Sequence, residues 1–221
     1  MILVIKYLII VIITYMLGAI PFGLIIGRRM ANLDIREHGS GNIGATNVFR
    51  TLGTRLGLIT AILDMSKAAL AVLLAMLVIG NEVFVVGGQD IHVQLAQILG
   101  AISAMVGHNW SVYIKFKGGK GVASFFGGML VINWVAALTG IAAGIIIALT
   151  TRYVSLGSML AAVCVLLALI ALTLLGVSAP VYIVYGLLAA GLIVFQHRSN
   201  IGRLNSGTEL KLGDKGAKVE I

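Results

Sequence analysis

Three lysines and three glycines fall within seven residues, Lys115 to Gly121, in the run KFKGGKGVAS that ends at Ser124. Glycine lets a backbone approach a ligand closely, and ammonium groups beside free backbone N–H groups suit phosphate. Lys117, Gly118, Gly119, Lys120 and Gly121 are therefore candidates for an anion cradle. The spacing is not that of the nucleotide-binding G-x-x-x-x-G-K-[ST], because Gly121 follows Lys120 and position 114 is Ile114. Taken alone, the loop reads equally as a cationic connection that fixes the orientation of a membrane protein. Both readings stay open at this point.

Two further stretches hold polar groups of the same kind. EHGSGNIGATNVFRTLG, Glu37 to Gly53, places Ser40, Asn42, Thr46 and Asn47 as neutral donors and acceptors among Gly39, Gly41 and Gly44. Arg50 can take a phosphate bidentately, and Thr46 or Asn47 can cap a helix that continues into the next apolar run. The plainer reading is a polar turn with a helix cap. HRSNIGRLNSGTE, His197 to Glu209, sets His197, Arg198 and Asn200 where a helix leaves the bilayer. His197 is a base, a phosphate donor or an interfacial polar residue, and His108 with Asn109 invite the same readings. Asp64 and Lys67, three apart in an apolar run, share a helix face and can pair. Ionisable groups at membrane depth are functional candidates by default, but a structural pair is the preferred reading here.

The elements that must position these groups are membrane helices. The chain of 221 residues is 59% hydrophobic and only 11% charged, with mean hydropathy +1.06, which excludes an ordinary soluble domain. The formal net charge of +8 lies at the ends of apolar runs, as in positive-inside loops, without the aromatic platforms that nucleic acid needs. Cys164 is the only cysteine, so no internal disulfide forms. Lys6 within the first run and Arg28 and Arg29 after it argue for a retained span rather than a cleaved signal.

Spans are expected at about Ile2–Gly27, bent near Pro21, Leu56–Gly80, Val93–Tyr113, Leu156–Leu175 and Ala179–Phe195. Gly23 and Gly27 offer a small-residue face for another helix. The segment from Val122 to Thr150 is too long for one crossing and short for two, which would need Gly118 to Tyr153. A break near Asn133–Trp134 makes two, and about seven spans in all then put every basic connection on one side. The expectation is an all-α polytopic membrane protein, one domain over residues 1–221 with a polar tail from about 210. Its N-terminus and the Asn81–His92 loop face outward, and its glycine-rich polar loops face the cytoplasm.

GSGNIGATNVFRTLG, KFKGGKGVAS and HRSNIGRLNSGTE, with LDMSK and TRYVSLGS between them, resemble the motifs of the bacterial acyl-phosphate-dependent glycerol-3-phosphate acyltransferases in the family's order. The resemblance runs from Ile20 to Glu209, and Ile43 stands where many members carry proline. It implies transfer of a fatty acyl group from acyl phosphate to the 1-hydroxyl of glycerol 3-phosphate. The products are 1-acylglycerol 3-phosphate (lysophosphatidic acid) and phosphate, a step of phospholipid biosynthesis. It implies no cofactor, no metal, and neither acyl-CoA nor acyl carrier protein as direct donor. It also implies a multi-pass place in the bacterial plasma membrane with the site on the cytoplasmic side. No histidine is followed by aspartate at the H-x4-D spacing of soluble-type acyltransferases.

Carried over to this chain, the pattern makes Ser40, His197 and Asn200 catalytic. Gly41, Asn42, Thr46, Asn47, Arg50, Lys117, Gly118, Gly119, Lys120, Gly121 and Arg198 bind substrate or phosphate. Arg50 and Lys120 hold phosphate, and Ser40 and Asn200 orient the nucleophile or the departing group. His197 is the base, or positions a substrate whose own phosphate takes the proton. The rival class is a transporter of a small phosphorylated anion, but transporters place binding groups on broken helices near the midplane, whereas these lie at helix ends.

Overall fold

The computed structural model describes residues 2–80, 85–86, 89–90 and 92–214. It is a helical membrane architecture. The helices are α1 (Ile2–Gly18), α2 (Phe22–Ala31), α3 (Ala45–Leu52), α4 (Thr54–Ile79), α5 (His92–Asn109), α6 (Val122–Ile132), α7 (Trp134–Thr151), α8 (Val154–Leu174), α9 (Val181–Gln196) and α10 (Arg198–Asn205). In the Asn81–His92 loop, Val85 pairs with Asp90 and Val86 with Gln89 in a two-residue antiparallel ladder. Glu82, which that loop was expected to face outward, lies outside the described residues, as do Lys215 and Lys218 of the tail.

Among the described residues, four helical runs are long and apolar enough to cross a bilayer, counting α1 and α2 as the single run Ile2–Ala31. A fifth arises if α9 and α10 are joined across their 58° bend. The expected break falls at Asn133, which ends α6 and caps α7 by accepting the Ala136 N–H at 3.0 Å. At 11 residues, α6 is about 16 Å long, roughly half the thickness of a hydrocarbon core. The bend expected at Pro21 is a full interruption. α1 stops at Gly18, and the freed Ala19 carbonyl accepts the Ser111 hydroxyl at 2.6 Å.

Small residues set how closely the helices approach. Ala68, Ala71 and Ala75 of α4 and Ala101 and Ala104 of α5 are fully buried, so α4, α5 and α1 pack backbone to backbone. The Gly23–Gly27 face meets the polar connection and, at Gly23, Val48 of α3. A side chain on Gly23 would strike the Ile43 carbonyl, and one on Gly27 would meet Leu33 and Ile35, so this face seats the polar connection. The larger core lies between α5, α6, α8 and α9, around Phe125, Met129, Leu169 and Tyr185, with the Tyr185 hydroxyl donating to the Phe125 carbonyl. α7 buries only Ala136, Ala137 and Gly140, leaving Ile146 and Leu149 facing outward as a lipid-side wall.

The chain after α10 returns across the molecule. Leu212 exchanges two hydrogen bonds with Arg152, its N–H donating to the Arg152 carbonyl and its own carbonyl accepting from the guanidinium.

Candidate active site

The connection between α2 and α4, the lysine–glycine loop and the tail after α9 meet at one cavity of about 430 Å³. Ser40, Asn42, Thr46 and Arg50 line it from the first, Lys120 and Gly121 from the second, and His197, Asn200 and Glu209 from the third. Beyond this polar basin the same cavity continues as an apolar slot past Phe126 of α6, Ile141 and Ile145 of α7, and Gly157 and Ala161 of α8.

Asn47 organises the first wall. Its Oδ1 accepts the Ser40 N–H at 2.7 Å, and its Nδ2 lies 2.8–3.0 Å from the carbonyls of Ile35, His38 and Asn42. The Asn42 side chain accepts the Gly44 N–H at 2.8 Å. Both amides therefore shape the loop, which leaves the Ser40 hydroxyl exposed at the cavity. Neither Thr46 nor Asn47 caps a helix running into the second span. Gly44 is the N-cap of α3, and Gly53 at φ +91° breaks the chain before α4 begins, a backbone that a side chain would strain. α3 carries Arg50 as a separate short helix, its guanidinium donating to the Leu210 carbonyl at 3.1 Å.

Glu209 ties the third wall to α8. Its Oε1 accepts from Asn200 Nδ2 at 2.6 Å and from the Ser155 hydroxyl at 2.7 Å, while Oε2 pairs with Arg203 at 2.7 Å. Burial pushes this carboxyl up, but these hydrogen bonds outweigh burial and hold it below the usual range. Asn200 is thereby fixed with Oδ1 toward Lys120, whose ammonium donates to it at 2.5 Å. Burial, reinforced by the positive charges of Arg203 and Arg50 and opposed by Glu209, pushes Lys120 down to about 8. A cation in this position gains from an added anion. His197, just past the end of α9, has Nδ1 at 2.8 Å from the Ile193 carbonyl. A carbonyl only accepts, so Nδ1 carries the proton and Nε2 is the free nitrogen of the neutral ring.

Other expected site residues lie elsewhere. The Gly118 and Gly119 N–H groups donate to the carbonyls of Asn109 and His108, closing the end of α5 rather than facing an anion. Lys117 and Gly41 are exposed away from the cavity wall. Arg198 turns outward, donating to the Phe195 carbonyl and stacking on the Phe195 ring at 4.8 Å. Glu209 and Ser155, to which no site role was assigned, also stand on the cavity wall, as do His108, one of the histidines left open between site and interface, and Asp64, expected as a structural partner of Lys67. Glu209 and Ser155 had a signal, since they belong to the tail stretch and to TRYVSLGS.

The family model described as glycerol-3-phosphate acyltransferase matches residues 8–207. Glycerol-3-phosphate acyltransferase 3 of Dehalococcoides mccartyi (strain ATCC BAA-2266 / KCTC 15142 / 195) is 45% identical over 213 residues, covering 96% of this chain and 99% of that protein. Glycerol-3-phosphate acyltransferase of Clostridioides difficile (strain 630) is 39% identical over 219 residues, covering 95% and 97%. Among solved structures, PlsY (YgiH), an integral membrane glycerol 3-phosphate acyltransferase, superposes in its glycerol 3-phosphate form with TM-score 0.79 at 33% identity, covering 94% of this chain and 96% of that one. Its lysophosphatidic acid form gives TM-score 0.77 at the same identity.

Proposed function

The chain belongs to the glycerol-3-phosphate acyltransferase family, and from that premise we propose that it transfers a fatty acyl group from acyl phosphate to the 1-hydroxyl of glycerol 3-phosphate, releasing lysophosphatidic acid and phosphate. The observation that carries this reading is the shape of the cavity. A basin of Arg50, Lys120, Ser40 and Asn200 opens directly into an apolar slot, so one ligand can hold a phosphate at one end and an acyl chain at the other.

In the reaction, the 1-hydroxyl oxygen bonds to the acyl carbonyl carbon and the bond from that carbon to the phosphate oxygen breaks, the phosphate leaving with the electron pair. Phosphate is a good leaving group, so positioning and charge stabilisation supply most of the catalysis. Arg50 and Lys120 hold the phosphate charge, and Ser40 and Asn200 orient the hydroxyl and the departing group. The free Nε2 of His197 accepts a hydrogen bond from the substrate hydroxyl and aims it, while a phosphate oxygen of the substrates takes the proton. That division of labour agrees with the partner of Nδ1, which is a carbonyl and not a carboxylate.

We also propose that the protein resides in the bacterial plasma membrane with seven crossings, the N-terminus outside and the cavity on the cytoplasmic side. The gathering of basic connections around one cavity supports this. Cysteines introduced at Gln89 and Lys211 in a Cys164→Ser background label from opposite sides if this is correct, and labelling from one side returns the chain to six crossings.

The function is tested with purified protein in detergent, supplied with acyl phosphate and glycerol 3-phosphate in the presence of a chelator. Free phosphate and lysolipid appearing in equal amounts is the expected result. No product, together with uptake of glycerol 3-phosphate into sealed vesicles, would place the chain among anion transporters.

A further inference from the structure

Asp64 and His108, on the cavity wall beside the lysine–glycine loop, form with Lys67 a second cluster of ionisable groups to which the proposed reaction gives no role. Lys67 of α4 is almost wholly enclosed, its side chain 1% exposed, yet three acceptors surround its ammonium. They are Asp64 Oδ1 at 2.8 Å, the Ile20 carbonyl at 2.7 Å and His108 Nδ1 at 3.0 Å. Two of these contacts are hydrogen bonds and the third is the ion pair with Asp64; an ammonium cannot accept, so His108 Nδ1 does, which places the imidazole proton on Nε2.

The partners come from the two sides that frame the loop. Ile20 belongs to the interruption between α1 and α2, while His108 stands in the last turn of α5. The carbonyls of His108 and Asn109 receive the Gly119 and Gly118 N–H groups. Gly119 also packs so closely on His108 Nε2 that any side chain there would overlap the ring. This close approach is a demand that the second glycine of the motif meets. Lys120 follows directly and reaches into the basin to Asn200.

We infer that Lys67 is a positioning residue of the active site: by fixing the His108 ring it seats the Gly118–Gly119 turn and so sets where the Lys120 ammonium meets phosphate. The inference rests on the reading of the cavity as the reaction site. Its alternative is a buried ion pair that only holds helices together.

Those two roles separate in steady-state kinetics. A helix clamp changes how much protein is folded, which lowers the apparent kcat and leaves KM untouched. A misplaced Lys120 weakens phosphate binding in every folded molecule and raises KM. The double variant Asp64→Asn/Lys67→Met removes both buried charges together, so neither is left unpaired. His108→Asn keeps an acceptor close to the Nδ1 position but removes the ring under Gly119. In each, on protein that elutes as a folded monodisperse species, KM for glycerol 3-phosphate or acyl phosphate should rise by about tenfold, the loss of one charge-assisted contact. Lys120→Ala measured alongside should show a rise in the same substrate. An unchanged KM in either folded variant overturns the inference, and so does loss of folded protein in both. A wild-type protein inactive with both substrates would instead refute the proposed function.

Discussion

Lys67 and Lys120 carry the same charge in opposite surroundings. Lys67 is enclosed, hydrogen-bonded to the Ile20 carbonyl and His108 Nδ1 and ion-paired with Asp64. Among the described residues, Lys120 has one neutral protein partner, Asn200, with Arg50 and Arg203 nearby and one carboxylate, Glu209, already bonded to Ser155, Asn200 and Arg203. A well-partnered ammonium holds structure, whereas a less partnered one beside an open cavity is placed to take a ligand. The difference cannot be read from residue type. It comes from how many acceptors each site supplies.

The sharpest way to break the comparison is to truncate each lysine and read stability. Lys67→Ala leaves Asp64 buried and unpaired, which should cost about 3–5 kcal/mol. Lys120→Ala should stay within about 1 kcal/mol of the wild type, because it loses one hydrogen bond to a neutral amide at a cavity. Thermal unfolding in a single detergent compares the two. Equal losses would mean that the lysines do the same work.

Activity should reverse the order among folded proteins. Arg50→Ala and Lys120→Ala should each lower kcat/KM by about tenfold or more while leaving folding intact, since a charge-assisted bond to phosphate is lost. Near-normal kcat/KM in both would remove the phosphate basin from the account.

The same less partnered ammonium sets a pH dependence. Lys120 is charged below its pKa, which burial has pushed down to about 8, so kcat/KM should fall as pH rises through that value. The Lys120→Arg variant, though slower, should hold its charge to above about pH 12 and lose this alkaline limb. A limb unmoved by the substitution would assign it to another group.

The smallest effect belongs to the apolar slot. Ile141→Phe should reduce kcat/KM for long acyl donors relative to short ones by roughly fivefold to tenfold, in line with the one to two kcal/mol that a methylene pocket discriminates. KM for glycerol 3-phosphate should not move. An unchanged chain-length profile would put the acyl chain elsewhere.

The chemistry of the site was legible because it lies in polar stretches that interrupt apolar runs. Ser40, Arg50, Lys120, His197 and Asn200 stand out in the sequence for that reason, and they share one cavity. What stayed hidden depends on where backbone groups find partners. The Gly118 and Gly119 N–H groups look free in a glycine-rich loop, but the unsatisfied carbonyls ending α5 take them. Asn47 looks like a ligand group and instead holds three carbonyls of its own loop. Arg198 and Asn200 are two apart on α10, so they point to different sides of a helix, and only Asn200 turns inward. The Asp64–Lys67 pair was visible from its spacing, whereas His108 joins it only through the packing of α4 on α5. Glu209 lies twelve residues beyond His197, and its fold-back onto Asn200 has no local signature. Of the membrane organisation, the break at Asn133 was readable from a segment too long for one span and too short for two.

The central claim is that a phosphate basin feeding an apolar slot selects acyl phosphate as donor. It is tested most directly by initial rates of lysophosphatidic acid formation from glycerol 3-phosphate, with acyl phosphate and acyl-CoA compared at matched chain length. The purified protein is assayed in detergent with a chelator present. Efficient turnover from acyl phosphate with stoichiometric phosphate release, and little or none from acyl-CoA, is the expected result. Efficient turnover from acyl-CoA, or a strict requirement for an added divalent metal, would contradict it.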